Sequence, residues 1–192
     1  MSLKKVADCS SHRIKHQDKF FLDANILINI LDTHYAEKGK KDKELIDKTQ
    51  TFLKRIGEKG AKIIIIPLLI SECINTYSRQ RYSKYKQDHG DIDYKLFRKT
   101  SAYKDEIDLL NIQFNMLIEN DLLVFDGYSI SKEELSEYFK QSKVLDFNDF
   151  VYGKFVKQKG LIFVTNDKDF MNSVSELPCV LSFNQTLINK RY

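Results

Sequence analysis

The sequence predicts an α/β fold: three layers, α/β/α, around a mainly parallel sheet, with a helical insertion. Three observations carry this expectation. Short β-branched runs alternate with helical stripes along most of the chain. The run AKIIIIP is apolar on consecutive positions, as in a strand covered on both faces. Turn signals, Gly60 and Gly160 among them, fall where helices give way to strands.

In chain order, Phe20 to Leu22 reads as a strand ending at Asp23. From Ala24 the spacing of Ile26, Leu27, Ile30 and Leu31 turns helical. Asp42 to Gly60 is a second helix, with Leu45, Ile46, Phe52, Leu53 and Ile56 on one side. After the isoleucine strand, Pro67 suits the first turn of the helix PLLISECINTYSRQRYSKY. Residues from about 78 to 120 break the rhythm, polar up to Lys99 and helical again from Ala102 to Asn120. Leu122 to Phe125 is a strand. SKEELSEYF carries a capping box, so Ser131 starts a helix. A helix from about Asn148 to Lys159, the strand LIFVT and a short strand within Pro178 to Phe183 complete the pattern.

The 192 residues suit a single domain, 1–192, with about 1–18 as an N-terminal extension and about 78–120 as a basic helical insertion. The composition, 42% hydrophobic and 30% charged, is that of an ordinary soluble protein. The longest apolar run, IIIIPLLI, is far shorter than the roughly 20 residues that span a bilayer, so no membrane role is expected. The N-terminal stretch lacks the apolar core of a signal peptide. Cys9, Cys73 and Cys179 form neither a disulfide framework nor a CxxC pair, and the expected location is the cytoplasm. The four histidines show no HExxH or HxH spacing, so a metal here would sit among oxygens. A net charge of +4 allows an anionic partner without requiring one.

In parallel sheets ligands bind beyond the carboxyl ends of the strands. Asp23 ends the first strand, Glu72 follows the second within its helix, and Asp167 comes two residues after LIFVT. Asp149 opens the helix leading into that strand. Carboxylates gathered without Lys or Arg beside them repel unless cations are present. Hard cations prefer oxygen ligands, so the expected cofactor is Mg²⁺ or Mn²⁺, and chemistry at such a site is most often phosphoryl transfer. Each acid has a plainer reading too: Asp23 as an N-cap, Glu72 as a solvated helix residue, Asp149 as a helix-start acid. Asp169 competes with Asp167, as an auxiliary ligand or a first-turn acid. Asn25 and Thr165 either position water or phosphate or close backbone turns. The chain has no P-loop, G-x-G-x-x-G or G-x-S-x-G motif.

FLDANILINIL, PLLISECIN and DFNDFVYGKFVKQKGLIFVTNDKDF together resemble the PIN domain, the metal-dependent ribonuclease fold of VapC-type toxins. The matching positions are Asp23 and Asn25, Glu72, Asp149 with Gly160, and Thr165 with Asp167, covering roughly half the chain. The resemblance implies an endoribonuclease cutting single-stranded RNA, with Asp23, Glu72, Asp149 and Asp167 as catalytic metal ligands. The expected partners are single-stranded or structured RNA, an antitoxin protein and a second copy of the chain. The family also holds RNA-maturation enzymes and members without activity. This chain is longer than the small toxins, between Glu72 and Asp149 and before Phe20. Two alternatives stand beside the nuclease. One is a non-catalytic RNA- or protein-binding module. The other is a haloacid-dehalogenase-type phosphatase, which needs an Asp where Asn25 stands.

No substrate-binding residue is singled out. Between Arg79 and Lys104, however, eight basic residues stand against three acids, interleaved with Tyr82, Tyr85, Tyr94 and Tyr103. Basic charge with aromatic faces suits unstacked RNA bases, and a solvated helix face with tyrosines packed at its edge is the plainer account.

Overall fold

The computed structural model describes residues 6–141, 146–168, 170 and 177–189. Six parallel strands form one sheet in the order β1-β6-β5-β2-β3-β4. They are β1 (Ala7–Asp8), β2 (Lys19–Leu22), β3 (Lys62–Ile65), β4 (Leu123–Phe125), β5 (Ile162–Val164) and β6 (Cys179–Ser182). The helices are α1 (Ala24–Leu31), α2 (Lys40–Glu58), α3 (Pro67–His89), α4 (Tyr94–Phe97), α5 (Ser101–Glu119), α6 (Lys132–Gln141) and α7 (Phe147–Lys159), with a last short one at Gln185–Asn189. The α/β/α architecture with a parallel sheet is the one predicted. No described helix is long and apolar enough to cross a membrane.

Alternation along β2 builds the layers, because neighbouring side chains leave a strand on opposite faces. The Phe20 ring meets Phe52 of α2 at 5.4 Å. On the other face Phe21 meets Tyr152 and Phe155 of α7 at 5.1 and 5.3 Å. Phe20, Phe21 and Leu22 are fully buried, as are Ile63 and Ile65 of β3. Fully burying one such side chain is worth about 1.5–3 kcal/mol, so β2 is anchored from both layers.

Helix boundaries follow local chemistry. Pro67 opens α3, where its missing N–H costs nothing. Gly60 and Gly160 end α2 and α7 with φ of 66° and 64°, a conformation in which a side chain would be strained. Ser131 and Glu134 form the reciprocal capping box, the Glu134 N–H donating to Ser131 Oγ at 3.1 Å and the Ser131 N–H to Glu134 Oε2 at 2.9 Å.

Two features go beyond the sequence expectation. The segment before Phe20 contributes the edge strand β1, paired with β6 through Ala7↔Leu181. Arg55 of α2 holds it down by donating to the carbonyls of Cys9 and Ser10 at 2.9 and 3.0 Å, and to that of His12. The helix after Pro67 does not stop near Tyr85 but runs to His89. There the tyrosines face one another. Tyr82, Tyr85, Tyr94 and Tyr103 surround the buried Phe97 at ring distances of 5.1 to 6.3 Å. The four tyrosines themselves are half-buried.

Candidate active site

From β2 the chain passes to β3 and β4 on one side, and only later to β5 and β6 on the other. The switch point therefore lies between the carboxyl ends of β2 and β5, where parallel sheets place their ligand clefts. Asp23 follows β2 there and Thr165 follows β5. The two meet: Thr165 Oγ1 donates to Asp23 Oδ2 at 2.9 Å, and both residues are buried.

Asp23 sits at the N-cap position of α1 but makes no side-chain capping bond. Its carboxylate is turned into the cleft. Burial pushes its pKa from 3.8 up to about 6; the Thr165 hydroxyl and the nearby Asn25 N–H oppose this, whereas Glu72 and Asp167 reinforce it. Thr165 also shapes the following turn, its Oγ1 accepting from the Asp167 N–H at 2.9 Å. Asn166 staples that turn to β6, because its Oδ1 accepts from Ser182 Oγ and the Phe183 N–H, each at 2.9 Å. Asp167 is half-buried and accepts from the Phe170 N–H at 3.3 Å.

Glu72 comes from α3 and Asp149 from α7. The helix-start service that Asp149 could have given falls to Asp146, which accepts from the Asn148 N–H at 2.8 Å. The Asp149 side chain makes no hydrogen bond or ion pair among the described residues. Burial raises its pKa to about 7, and Asp167, Asp146, Asp23 and Glu72 add to the rise, in that order. Asp149 thus feels the other three acids, and Asp23 feels Glu72 and Asp167. Glu72 Oε2 accepts two hydrogen bonds from α7, from Asn148 Nδ2 at 3.0 Å and from the Tyr152 hydroxyl. Burial and this carboxylate push the Tyr152 phenol upward, so it stays a donor.

The structure thus brings Asp23, Glu72, Asp149, Asp167 and Thr165 to one cleft. Asn25 stands exposed in the first turn of α1 with no side-chain hydrogen bond among the described residues. Asp169 lies outside the described residues. The basic stretch is remote: Arg81 is nine residues past Glu72, about 14 Å of helix rise at about 1.5 Å per residue, and it pairs with Glu106 at 2.8 Å and Glu37 at 3.2 Å. Asn148, Tyr152 and Asn166 are the additions that sequence reasoning lacked. Only the spacing of Asn148 and Tyr152, four apart on one helix face, hinted at a joint role.

Whether these residues suit a metal ion turns on their chemistry. Among the described residues no three His, Cys, Asp or Glu side chains are arranged to hold an ion as they stand. The donor set itself fits a hard divalent cation: oxygen only, partly desolvated, mutually repelling. Asp23, Glu72 and Asp149 have no Lys or Arg partner among the described residues. Burial first, and the neighbouring carboxylates after it, raise the pKa of Asp23 and Asp149, and a cation would offset both effects.

A family model described as the PIN domain matches residues 20–174. The chain belongs to the PIN-domain family. PIN domains are generally nucleases, and PIN-domain nucleases typically use divalent metals. Among solved structures, VapBC2 from Rickettsia felis bound to a DNA fragment from its promoter shares the fold. It has a TM-score of 0.50 at 14% identity, covering 85% of this chain and 96% of that one. PAE2754 from Pyrobaculum aerophilum aligns at a TM-score of 0.46 and 15% identity, covering 89% of this chain and 88% of that one. No curated protein matches the chain.

Proposed function

We propose that this PIN domain is a Mg²⁺- or Mn²⁺-dependent endoribonuclease that hydrolyses phosphodiester bonds of single-stranded RNA. The observation that carries the reading is the buried Asp23, tied to Thr165 at the sheet's switch point and electrostatically coupled to Glu72 and Asp167. Asp23, Glu72, Asp149 and Asp167 would hold the cation. Bound there, a divalent ion supplies Lewis acidity, lowering the pKa of water and stabilising a leaving oxygen.

The chain's own residues set the stage for that chemistry. Thr165 fixes the Asp23 carboxylate through a hydrogen bond to Oδ2. Asn166 anchors the turn that presents Asp167, and Asn148 and Tyr152 hold Glu72. Asp149, whose pKa burial and its acidic neighbours raise to about 7, would give up its proton on holding a cation. Asp23→Asn or Asp149→Asn is expected to abolish cleavage of mixed tRNA, rRNA and mRNA in Mn²⁺ while the circular dichroism spectrum stays unchanged. Undiminished metal-dependent cleavage by either variant would overturn the assignment. Mapping the cut ends of the same reaction identifies the substrate.

The reading extends to an antitoxin protein as a partner and to a homodimer, as a VapC-type toxin would have. Light scattering and mass spectrometry of the protein purified from its own cell test both. One observation favours a second reading, a non-catalytic binding module: the acids do not close on an ion as they stand. Calorimetry with Mn²⁺ separates the two, since the module would show no binding.

A further inference from the structure

We infer that Asn148 and Tyr152 form a clamp that makes Glu72 a one-oxygen metal ligand, and that this clamp tilts the site toward small octahedral cations and against calcium. The inference rests on the nuclease reading of the same cleft. Glu72 Oε2 accepts from Asn148 Nδ2 at 3.0 Å and from the Tyr152 hydroxyl. A carboxylate oxygen has two lone-pair directions, so Oε2 is filled. Oε1 makes no hydrogen bond among the described residues and is the oxygen left to a ligand.

Both donors come from α7, four residues apart. Tyr152 is 2% exposed, its ring set edge-on against Phe21 at 5.1 Å. Asn148 lies in the first turn of α7, with its N–H bound by the capping Asp146. The same turn carries Asp149, so one helix both supplies an acid and fixes the orientation of another on α3. Ca²⁺ takes six to eight oxygens and readily uses a carboxylate through both of its oxygens; Mg²⁺ demands octahedral geometry and keeps its waters. A glutamate with one oxygen occupied cannot offer the two-oxygen grip. Asn148 and Tyr152 are positioning residues, acting through Glu72.

The test is calorimetric titration of the metal-free protein with Mg²⁺, Mn²⁺ and Ca²⁺, together with kcat and KM for RNA cleavage. It compares wild type, Tyr152→Phe, Asn148→Ala and the double variant. Tyr152→Phe keeps the buried ring, and Asn148→Ala leaves the Asp146 cap intact. Melting in chelator checks each fold. Outer-shell partners are typically worth about 10–100-fold in metal affinity or activity. The double variant is expected to lose about that much affinity for Mg²⁺ and Mn²⁺ and less for Ca²⁺, so the Mg²⁺/Ca²⁺ ratio falls. kcat should drop while KM for RNA holds. Unchanged affinities, or equal losses for all three cations, would overturn the clamp as a selectivity device. If wild type binds none of the cations, the nuclease reading falls as well; if wild type binds and cleaves and the variants match it, the clamp alone falls.

Discussion

Asp149 and Asp23 carry the clearest consequence of burying acids together. Their pKa values rise from 3.8 to about 7 and about 6. An acid whose folded-state value lies above its unfolded value binds more protons when folded. Stability from these two groups is therefore present at acid pH and is lost as pH rises from about 4 through about 7. In chelator, the protein is expected to melt higher at pH 5 than the slope of Asp149→Asn would allow. Calorimetry of both proteins at pH 5 and pH 8 reads this directly, and identical slopes would remove Asp149 from the account. Thr165→Val should cost about 1–3 kcal/mol, the penalty for a buried acceptor left without its donor, measured by urea unfolding. The acids were legible because a carboxylate at a strand end conflicts with its apolar neighbours. Asn148 and Tyr152 were not, because their donors gain meaning only when α7 lies against Glu72.

Among the elements, those with a strong local signature matched their expectation. The Ser131 box is one case, and Ser131→Ala should cost about 0.5–2 kcal/mol and fray α6, seen as faster amide exchange. The far end of α3 is the contrary case. Its residues past Tyr77 lack an apolar stripe, since their partner is the cluster around Phe97 and not the sheet. Phe97→Ala is expected to cost about 3–5 kcal/mol by denaturant unfolding, while Mn²⁺ affinity at the cleft stays unchanged. The two-residue strand β1 is too short to show any alternation, so nothing in its sequence announced it.

For the molecule as a whole, Arg55 links that first strand to the body of the fold through three carbonyls. Hydrogen bonds to a charged group are worth about 1.5–3 kcal/mol each, and Arg55→Met should release residues 7–12 to hydrogen exchange before the rest. Exchange in step with the remaining sheet would argue against this anchoring by Arg55. The parallel topology was readable from the alternation of strands and helices. The placing of β1 beside β6 was not, because it depends on contacts between the two ends of the chain.

The Asp23–Thr165 bond has a consequence in time. Its partners stand 142 residues apart, and β2 finds its neighbour β5 only after most of the chain is made. A polypeptide leaves the ribosome N-terminus first, at about 5–20 residues per second. While residues around Thr165 are still inside the exit tunnel, Asp23 has no partner and the cleft does not exist. The cleft is therefore completed only as synthesis of this domain nears its end.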